Sequence, residues 1–369
     1  MGYTPEQLTR RRQARARSRK RRLLATATLV LVLCAAGAGA DLLKRNHHHV
    51  VIVLRAAAPH QTPSPPAAHT QAEYPAAPGA PSLKHVRSQL AATTKHKRAD
   101  SAAAANGAAG GVLAADAASS FAELARTLPG RIELAVTPLG AGPREVLGSD
   151  EPAHGWSTTK VPVLVSLLRA RGAEGLTAQE RQWAQSAITE SNNESVLALF
   201  GDLERLENGL DGASQYIEDV LRTSGDNETV VATAPPPAGA VTTFGQTEWR
   251  PGEAVKFFRA LALGCLLPAS QTSYVLNLME HIEPSESWGL GSAGFSSIAF
   301  KGGWGPESSG YLVRQSGIID PGSSSGAVAA IVAFAPSFPA GTEMLTTTAT
   351  WLNQHLVLSA RQSTGCNAE

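Results

Sequence analysis

Apolar residues return at helical spacing across 118–128, through Phe121, Leu124 and Leu128, and the pattern predicts an amphipathic helix. Positions 131–138 alternate as a strand does, and 144–147 offer a second short strand after the Gly140-Ala141-Gly142-Pro143 turn. The next apolar run is different. Val161, Val163, Leu164, Val165, Leu167 and Leu168 leave little polar face, as expected of a helix buried at the centre of a domain. Pro162 is tolerated only near a helix start, so this helix must begin close to Ser157; it extends to Arg171. Thr177 and Glu180 make a capping box ahead of Trp183, Ala184, Ala187 and Ile188. That helix fades at Ser191, and another carries Val196, Leu197, Leu199 and Phe200 after Asn193. A helix over 213–222 precedes a Pro-rich irregular stretch at 228–246, and helices follow at 251–263 and 270–282. From 296 the pattern reverts to strands, at 298–301, 311–319 and 327–334, before a closing helix over 344–358. Strands at both ends of a helical block mean an antiparallel sheet flanked by helices, with a helical subdomain: an α+β fold.

The first third of the 369-residue chain has a different character, so one catalytic domain over 114–362, with a short tail at 363–369, is the expected count. The net charge of +1 hides an asymmetry. Arg10, Arg11, Arg12, Arg15, Arg17, Arg19, Lys20, Arg21 and Arg22 crowd residues 1–22 against Glu6 alone. Residues 23–40 carry no charge, which is about the length that crosses a hydrocarbon core of roughly 30 Å. The basic run then reads as a cytoplasmic tail and 23–43 as a transmembrane signal-anchor, with all that follows outside the cell membrane. A nucleic-acid-binding arm is disfavoured because the apolar span follows directly, and no nucleic-acid partner is expected. A cleaved signal peptide stays open, since Ala38-Gly39-Ala40 fits a small-x-small cleavage site. Either way the domain is exported. Residues 44–113, rich in Ala, Pro, His, Thr and Ser without a regular period, read as a disordered linker. Cys265 and Cys366 lie beyond the membrane, where a disulfide is chemically allowed, but the sequence does not show that they come within reach.

Three short strings carry candidate chemistry: Ser157-Thr158-Thr159-Lys160, Ser191-Asn192-Asn193 and Lys301-Gly302-Gly303. A serine hydroxyl is a weak nucleophile until a base removes its proton, and a lysine three residues on along a helix shares its face. For Lys160 to act as that base its pKa must fall, through desolvation or a nearby positive charge, and Lys301 is a candidate source of the charge. A serine at the start of a buried helix also offers its own backbone N–H to a developing oxyanion. Alone, the first string reads as a capping serine beside a solvated lysine. Ser191 and Asn193 read equally as helix caps, and the glycines after Lys301 as a bulge or turn.

In this order, as Ser-x-x-Lys, Ser-x-Asn and an altered Lys-[Thr/Ser]-Gly, the strings resemble the signature of class A β-lactamases and penicillin-binding proteins, over about 118–358. The resemblance implies a β-lactamase/transpeptidase-like fold that needs no metal and no cofactor. It implies Ser157 as nucleophile, Lys160 as base, Ser191 as proton shuttle to the leaving nitrogen and Asn193 as donor to the substrate amide. It further implies that Lys301 faces the serine from the end of a strand, that Gly302 and Gly303 let substrate approach the strand edge, and that Trp304 supplies a second oxyanion N–H. Gly302 departs from the pattern, having no hydroxyl to grip a substrate carboxylate, and Arg314 on the next strand is the candidate to compensate. Glu228 is the only acid where the family's deacylating glutamate is expected, with Ala232 in place of the asparagine that holds its water. The interval from Lys160 to Ser191 is short, so the helical subdomain is trimmed there. The implied function is a membrane-tethered extracytoplasmic serine hydrolase forming an acyl-enzyme with β-lactams or with D-alanyl peptides of peptidoglycan. A D-Ala-D-Ala carboxypeptidase, or a non-catalytic wall-binding or sensing module on the same fold, stays open.

Overall fold

The computed structural model describes residues 110–362 and 365–367. The basic tail, the apolar span and nearly all of the linker lie outside the described residues. Among the described residues no helix is long and apolar enough to cross a membrane.

The described residues open with α1 (Ala117–Thr127), whose buried Ala117, Phe121 and Leu124 form one stripe, and β1 (Arg131–Pro138), buried from its second residue onward. A short β2 (Glu145–Leu147) pairs with β1. The 3-10 turn Trp156–Thr159 runs directly into α2 (Lys160–Arg171), whose first nine residues are all buried. This is the central helix that the apolar run predicts. α3 (Ala178–Thr189) carries the expected capping box, with Thr177 Oγ1 accepting from Glu180 N at 3.1 Å and Glu180 Oε2 accepting from Thr177 N at 2.7 Å. α4 (Asn193–Glu207) and α5 (Leu210–Thr223) complete a helical block packed around α2. As expected from the short interval, α3 is the one α-helix between α2 and Ser191.

The remaining elements are α6 (Pro251–Ala262), α7 (Ala269–Glu280), β3 (Ile298–Glu307), β4 (Gly310–Ile319), β5 (Ala327–Ala335) and α8 (Phe338–His355). The sheet order is β2-β1-β5-β4-β3, antiparallel throughout. β5 is buried along almost its whole length because α6 covers one face of the sheet and α8 the other. The fold is therefore α+β, with an antiparallel sheet flanked by helices. Cys265, just after α6, is disulfide-bonded to Cys366, their Cα atoms 5.4 Å apart.

One difference bears on the site. β3 does not end at Lys301 but continues six residues further, in register with β4 from Ile298↔Ile319 to Glu307↔Gly310. Cross-strand pairing overrides the low strand preference of Gly302 and Gly303, so they are neither a bulge nor a turn. β3 is an edge strand, and its free side faces the turn that carries Ser157.

Candidate active site

Ser157 sits in a turn fixed from several sides. Gly155 N donates to Thr247 O at 2.8 Å, and Thr159 Oγ1 donates to Trp156 O at 2.6 Å. Trp156 takes the left-handed backbone, with φ 46°, which turns the chain sharply before the serine. Its indole lies across Gly305 of β3, and its Nε1 donates to Glu307 Oε1 at 3.3 Å. Glu307 Oε1 is also 2.8 Å from His154 Nδ1. The turn that carries Ser157 is thus clamped to the far half of β3, the half that sequence reading did not assign to a strand. Gly303 closes the join: a Cβ there would stand 2.7 Å from Ser157 N and 2.9 Å from Thr158 N.

Lys160, the first residue of α2, is buried, and its Nζ donates to Ser191 O and, at 3.2 Å, to Ser191 Oγ. Ser191 occupies the loop between α3 and α4 in the left-handed region, φ 54°, and its carbonyl and hydroxyl both meet the lysine. Lys301 Nζ, fully buried, donates to the same hydroxyl at 2.9 Å. Burial and then the Lys301 charge push the Lys160 pKa well below the usual lysine value, against a smaller opposing pull from Glu286. Burial also lowers the Lys301 pKa, and Glu286 partly restores it. A lowered pKa is the direction a lysine base needs. A neutral amine has two N–H and one lone pair; Ser191 accepts both N–H, which leaves the lone pair as an acceptor. A hydroxyl has one donor and two acceptor positions. Ser191 Oγ accepts from both lysines, so its own O–H remains available to donate.

Asn193 is the first residue of α4, half-buried; the helix cap is made by Asn192, whose Oδ1 accepts from Ser195 N at 2.8 Å. The Asn193 amide is thus not used for capping. Trp304 follows Gly303 on β3, its indole against Trp288 at 5.8 Å and Phe338 at 5.3 Å between ring centroids.

Two expected residues lie elsewhere. Glu228 has a side chain 65% exposed and pairs with Arg250 Nε at 3.3 Å, in solvent and not against the buried lysines. Arg314 is fully buried on the α6 face of β4, where Nη1 donates to Ala153 O and Trp249 O at 3.0 Å and to His154 O at 3.3 Å. Burial lowers its pKa to about 10. It supports the chain beneath the Ser157 turn, and the register Gly303↔Arg314 places it on the face opposite to Gly302, with its Nε and Nη2 buried without a hydrogen-bond partner among the described residues. The Gly302 face instead receives Gln315, Gly302's partner in the register.

Sequence reasoning missed three residues. Glu286 Oε2 is 3.0 Å from Lys301 Nζ. The Trp288 ring covers Gly302, its Cη2 only 3.0 Å from where a Cβ would be. Gln315 fixes Trp288 by donating to Trp288 O at 2.8 Å and accepting from Leu290 N at 2.7 Å. Among the described residues no group of three or more His, Cys, Asp or Glu side chains is placed to hold a metal ion.

Solved structures share this arrangement of elements. The chromosome-encoded β-lactamase of Vibrio parahaemolyticus superposes with a TM-score of 0.52 at 14% identity, covering 64% of this chain and 97% of that one. The class A β-lactamase from Mycobacterium abscessus gives 0.52 at 17% identity, over 64% and 98%. A β-lactamase from Burkholderia vietnamiensis gives 0.51 at 18%, over 65% and 96%. The chain has the class A β-lactamase fold. No protein-family model matches it, and no curated protein matches it by sequence. The matched part of this chain spans nearly the whole length of each neighbour.

Proposed function

We propose that the protein is a serine acyl-transfer enzyme that forms a long-lived acyl-enzyme on Ser157. Ser157 Oγ attacks the carbonyl carbon of an amide, lactam or ester while Lys160 Nζ accepts its proton. The backbone N–H groups of Ser157 and Trp304 receive the developing oxyanion. As the carbon–nitrogen or carbon–oxygen bond breaks, Ser191 gives its proton to the leaving atom and regains one from the lysine pair, and Asn193 orients the acyl side. The observation that carries the reading is the Ser191 hydroxyl accepting from two buried lysines at once. It makes Ser191 the relay between base and leaving group.

Slow deacylation follows from Glu228, which faces Arg250 in solvent and lies outside the buried cluster. That favours a slowly hydrolysed acyl-enzyme over a rapid β-lactamase. β-Lactams and D-alanyl peptides are the donors that the motif resemblance suggests. The basic run and apolar span suggest a membrane-anchored, extracytoplasmic protein, on which protease added to intact cells releases a fragment starting within the linker.

The deciding experiment uses a fluorophosphonate, a neutral probe that reports an activated serine whatever the natural donor. It labels the wild type at Ser157, seen as a mass increment on the intact protein and mapped by peptide digestion, and labels neither Ser157→Ala nor Lys160→Ala. A folded wild type that takes no label is a binding module and not an enzyme.

A further inference from the structure

We infer that the acyl donor carries no carboxylate on its leaving side, because Glu286 already occupies, as a built-in counter-ion, the place on Lys301 that such a carboxylate would take. The inference rests on the acyl-enzyme reading above and specifies its substrate class.

Three observations converge. The first is the donor count on Lys301. An ammonium group has three N–H donors. Nζ directs them to Ser191 Oγ at 2.9 Å, Glu286 Oε2 at 3.0 Å and Gly302 O at 3.2 Å, so none is left for a ligand. Lys301 is fully buried and the Glu286 side chain is 12% exposed. A ligand anion must either eject Glu286, leaving a buried carboxylate unpaired, or lie beside it as a like charge; both are unfavourable where water does not screen them.

The second observation is the wall next to that cation. Gly302 offers no hydroxyl, and the Trp288 indole fills the space above it. On the Gly302 face Gln315 is committed to Trp288 O and Leu290 N, while Arg314, on the other face with Lys301, donates through Nη1 to three carbonyls, its Nε and Nη2 being buried without a hydrogen-bond partner among the described residues. The Gly302 face of β3 therefore presents an aromatic surface, and Lys301 on the other face a neutralised charge.

The third is rigidity. Glu286 and Trp288 belong to a segment of two 3-10 turns, Pro284–Glu286 and Gly289–Ser292, held at both ends. Glu283 N donates to Thr189 O at 2.9 Å, joining it to α3, and Gly289 N donates to Thr346 Oγ1 at 2.9 Å, joining it to α8. Glu286 is therefore a fixed part of the groove.

The donor that fits is an ester, amide or lactam whose leaving portion is uncharged and lies along Trp288. The bond from Ser157 Oγ to the acyl carbon forms, the bond from that carbon to the leaving nitrogen or oxygen breaks, and the serine proton ends on the leaving atom through Ser191. Donors ending in a free carboxylate are excluded, and capped ones, amidated or esterified at that end, are accepted.

The test compares benzylpenicillin with its methyl ester, which differ at that one carboxyl group, charged in the first and capped by a methyl in the second, by the rate of acyl-adduct formation on the intact protein. In wild type the methyl ester acylates Ser157 about tenfold faster or more, the scale of one charge-assisted hydrogen bond gained or lost. In Glu286→Gln, shown to be folded by its melting curve, the preference moves by a similar factor toward the free acid as Lys301 accepts the ligand's carboxylate. Equal or faster acylation by the free acid in a wild type that fluorophosphonate labels at Ser157 overturns the inference and leaves the acyl-enzyme reading standing. An unchanged preference in Glu286→Gln overturns it as well. A wild type that takes neither fluorophosphonate nor either penicillin ends both readings.

Discussion

Gly303 approaches Ser157 so closely that a Cβ built on it would lie 2.7 Å from the serine's backbone nitrogen. The neighbours are main-chain atoms, Ser157 N, Thr158 N and Gly155 O, and none can rotate out of the way. Gly303 is not in the left-handed region, so the obstacle to a side chain there is contact and not torsion. Gly303→Ala is expected to push β3 off the nucleophile's turn and separate the two oxyanion donors. Loss of one such donor typically costs about 10²–10³ in rate. Fluorophosphonate labelling rates measure this directly, and labelling at the wild-type rate shows that the close approach has no part in the chemistry.

Lys160 sets catalysis against stability. Unfolded, a lysine holds its proton to about pH 10.4. Folded, burial and the Lys301 charge release it well below that. Between the two values the unfolded chain binds the extra proton, so this group's contribution to stability rises with pH across the window and is at its most unfavourable below the folded value. Lys160→Met keeps the volume and removes the desolvation cost of a buried ionisable group, at the loss of its hydrogen bonds to Ser191. The variant is expected to be at least as stable as wild type at pH 7 and to form no adduct, with a flatter dependence of stability on pH below 10. Denaturant unfolding at several pH values checks all three, and a less stable variant shows that the bonds to Ser191 outweigh the burial of the amine.

The elements that local pattern specifies were legible in the sequence. The all-apolar run after Ser157, the Thr177–Glu180 box and the alternation of 131–138 each depend on neighbouring residues alone. The order of three strings named Lys160, Ser191 and Lys301 as candidates, but it set Lys160 against Ser157 and did not foresee both lysines donating to the Ser191 hydroxyl. The rest depends on long-range placement. Whether Arg314 or Gln315 faces the groove turns on the register of β4 against β3, where a shift of one residue exchanges the faces. Glu286 lies fifteen positions before Lys301 and resembles any surface acid until Glu283 and Gly289 dock its segment between α3 and α8. The continuation of β3 through two glycines depends on a partner strand that the local sequence does not reveal.

Glu228 is expected to contribute little. Its carboxylate is largely exposed and pairs with an arginine itself 37% exposed. Glu228→Gln should alter stability by no more than about 0.5 kcal/mol, as surface substitutions usually do. It should also leave the lifetime of the acyl adduct unchanged. A mass time course after a pulse of penicillin methyl ester reads that lifetime, and a variant whose adduct persists much longer than in wild type restores Glu228 as a working deacylation base.

The Cys265–Cys366 bond closes a loop spanning 101 positions and ties the segment after α6 to the chain's end. Cross-links of this kind contribute about 2–4 kcal/mol, mainly by restricting the unfolded chain. Cys366→Ser should lower stability by that amount and leave the adduct-forming rate intact, because neither cysteine belongs to the Ser157 cluster. Thermal unfolding with and without reductant measures it. Reduction that changes wild type and Cys366→Ser equally shows that the bond contributes nothing.

Gly302 makes the opposite case to Gly303. The three atoms nearest to a Cβ there are all in side chains, the edge of the Trp288 ring at 3.0 and 3.3 Å and Gln315 Cγ at 3.6 Å. Gly302→Thr supplies the hydroxyl that the motif lacks but places it against an indole that Gln315 holds in position. Overpacking of this sort costs about 1–3 kcal/mol, and the variant should be destabilised by that much with no gain in capture of the free penicillin acid. Trimming the ring relieves the clash, so Gly302→Thr combined with Trp288→Leu should be more stable than the two single changes predict together. Contacting residues show such couplings of about 0.5–3 kcal/mol in double-mutant cycles. Free-acid acylation should improve only when Glu286→Gln is added to the pair, since Lys301 otherwise has no donor to offer. A Gly302→Thr single variant that captures the free acid faster than wild type does shows that the missing hydroxyl, and not Glu286, is what turns carboxylates away.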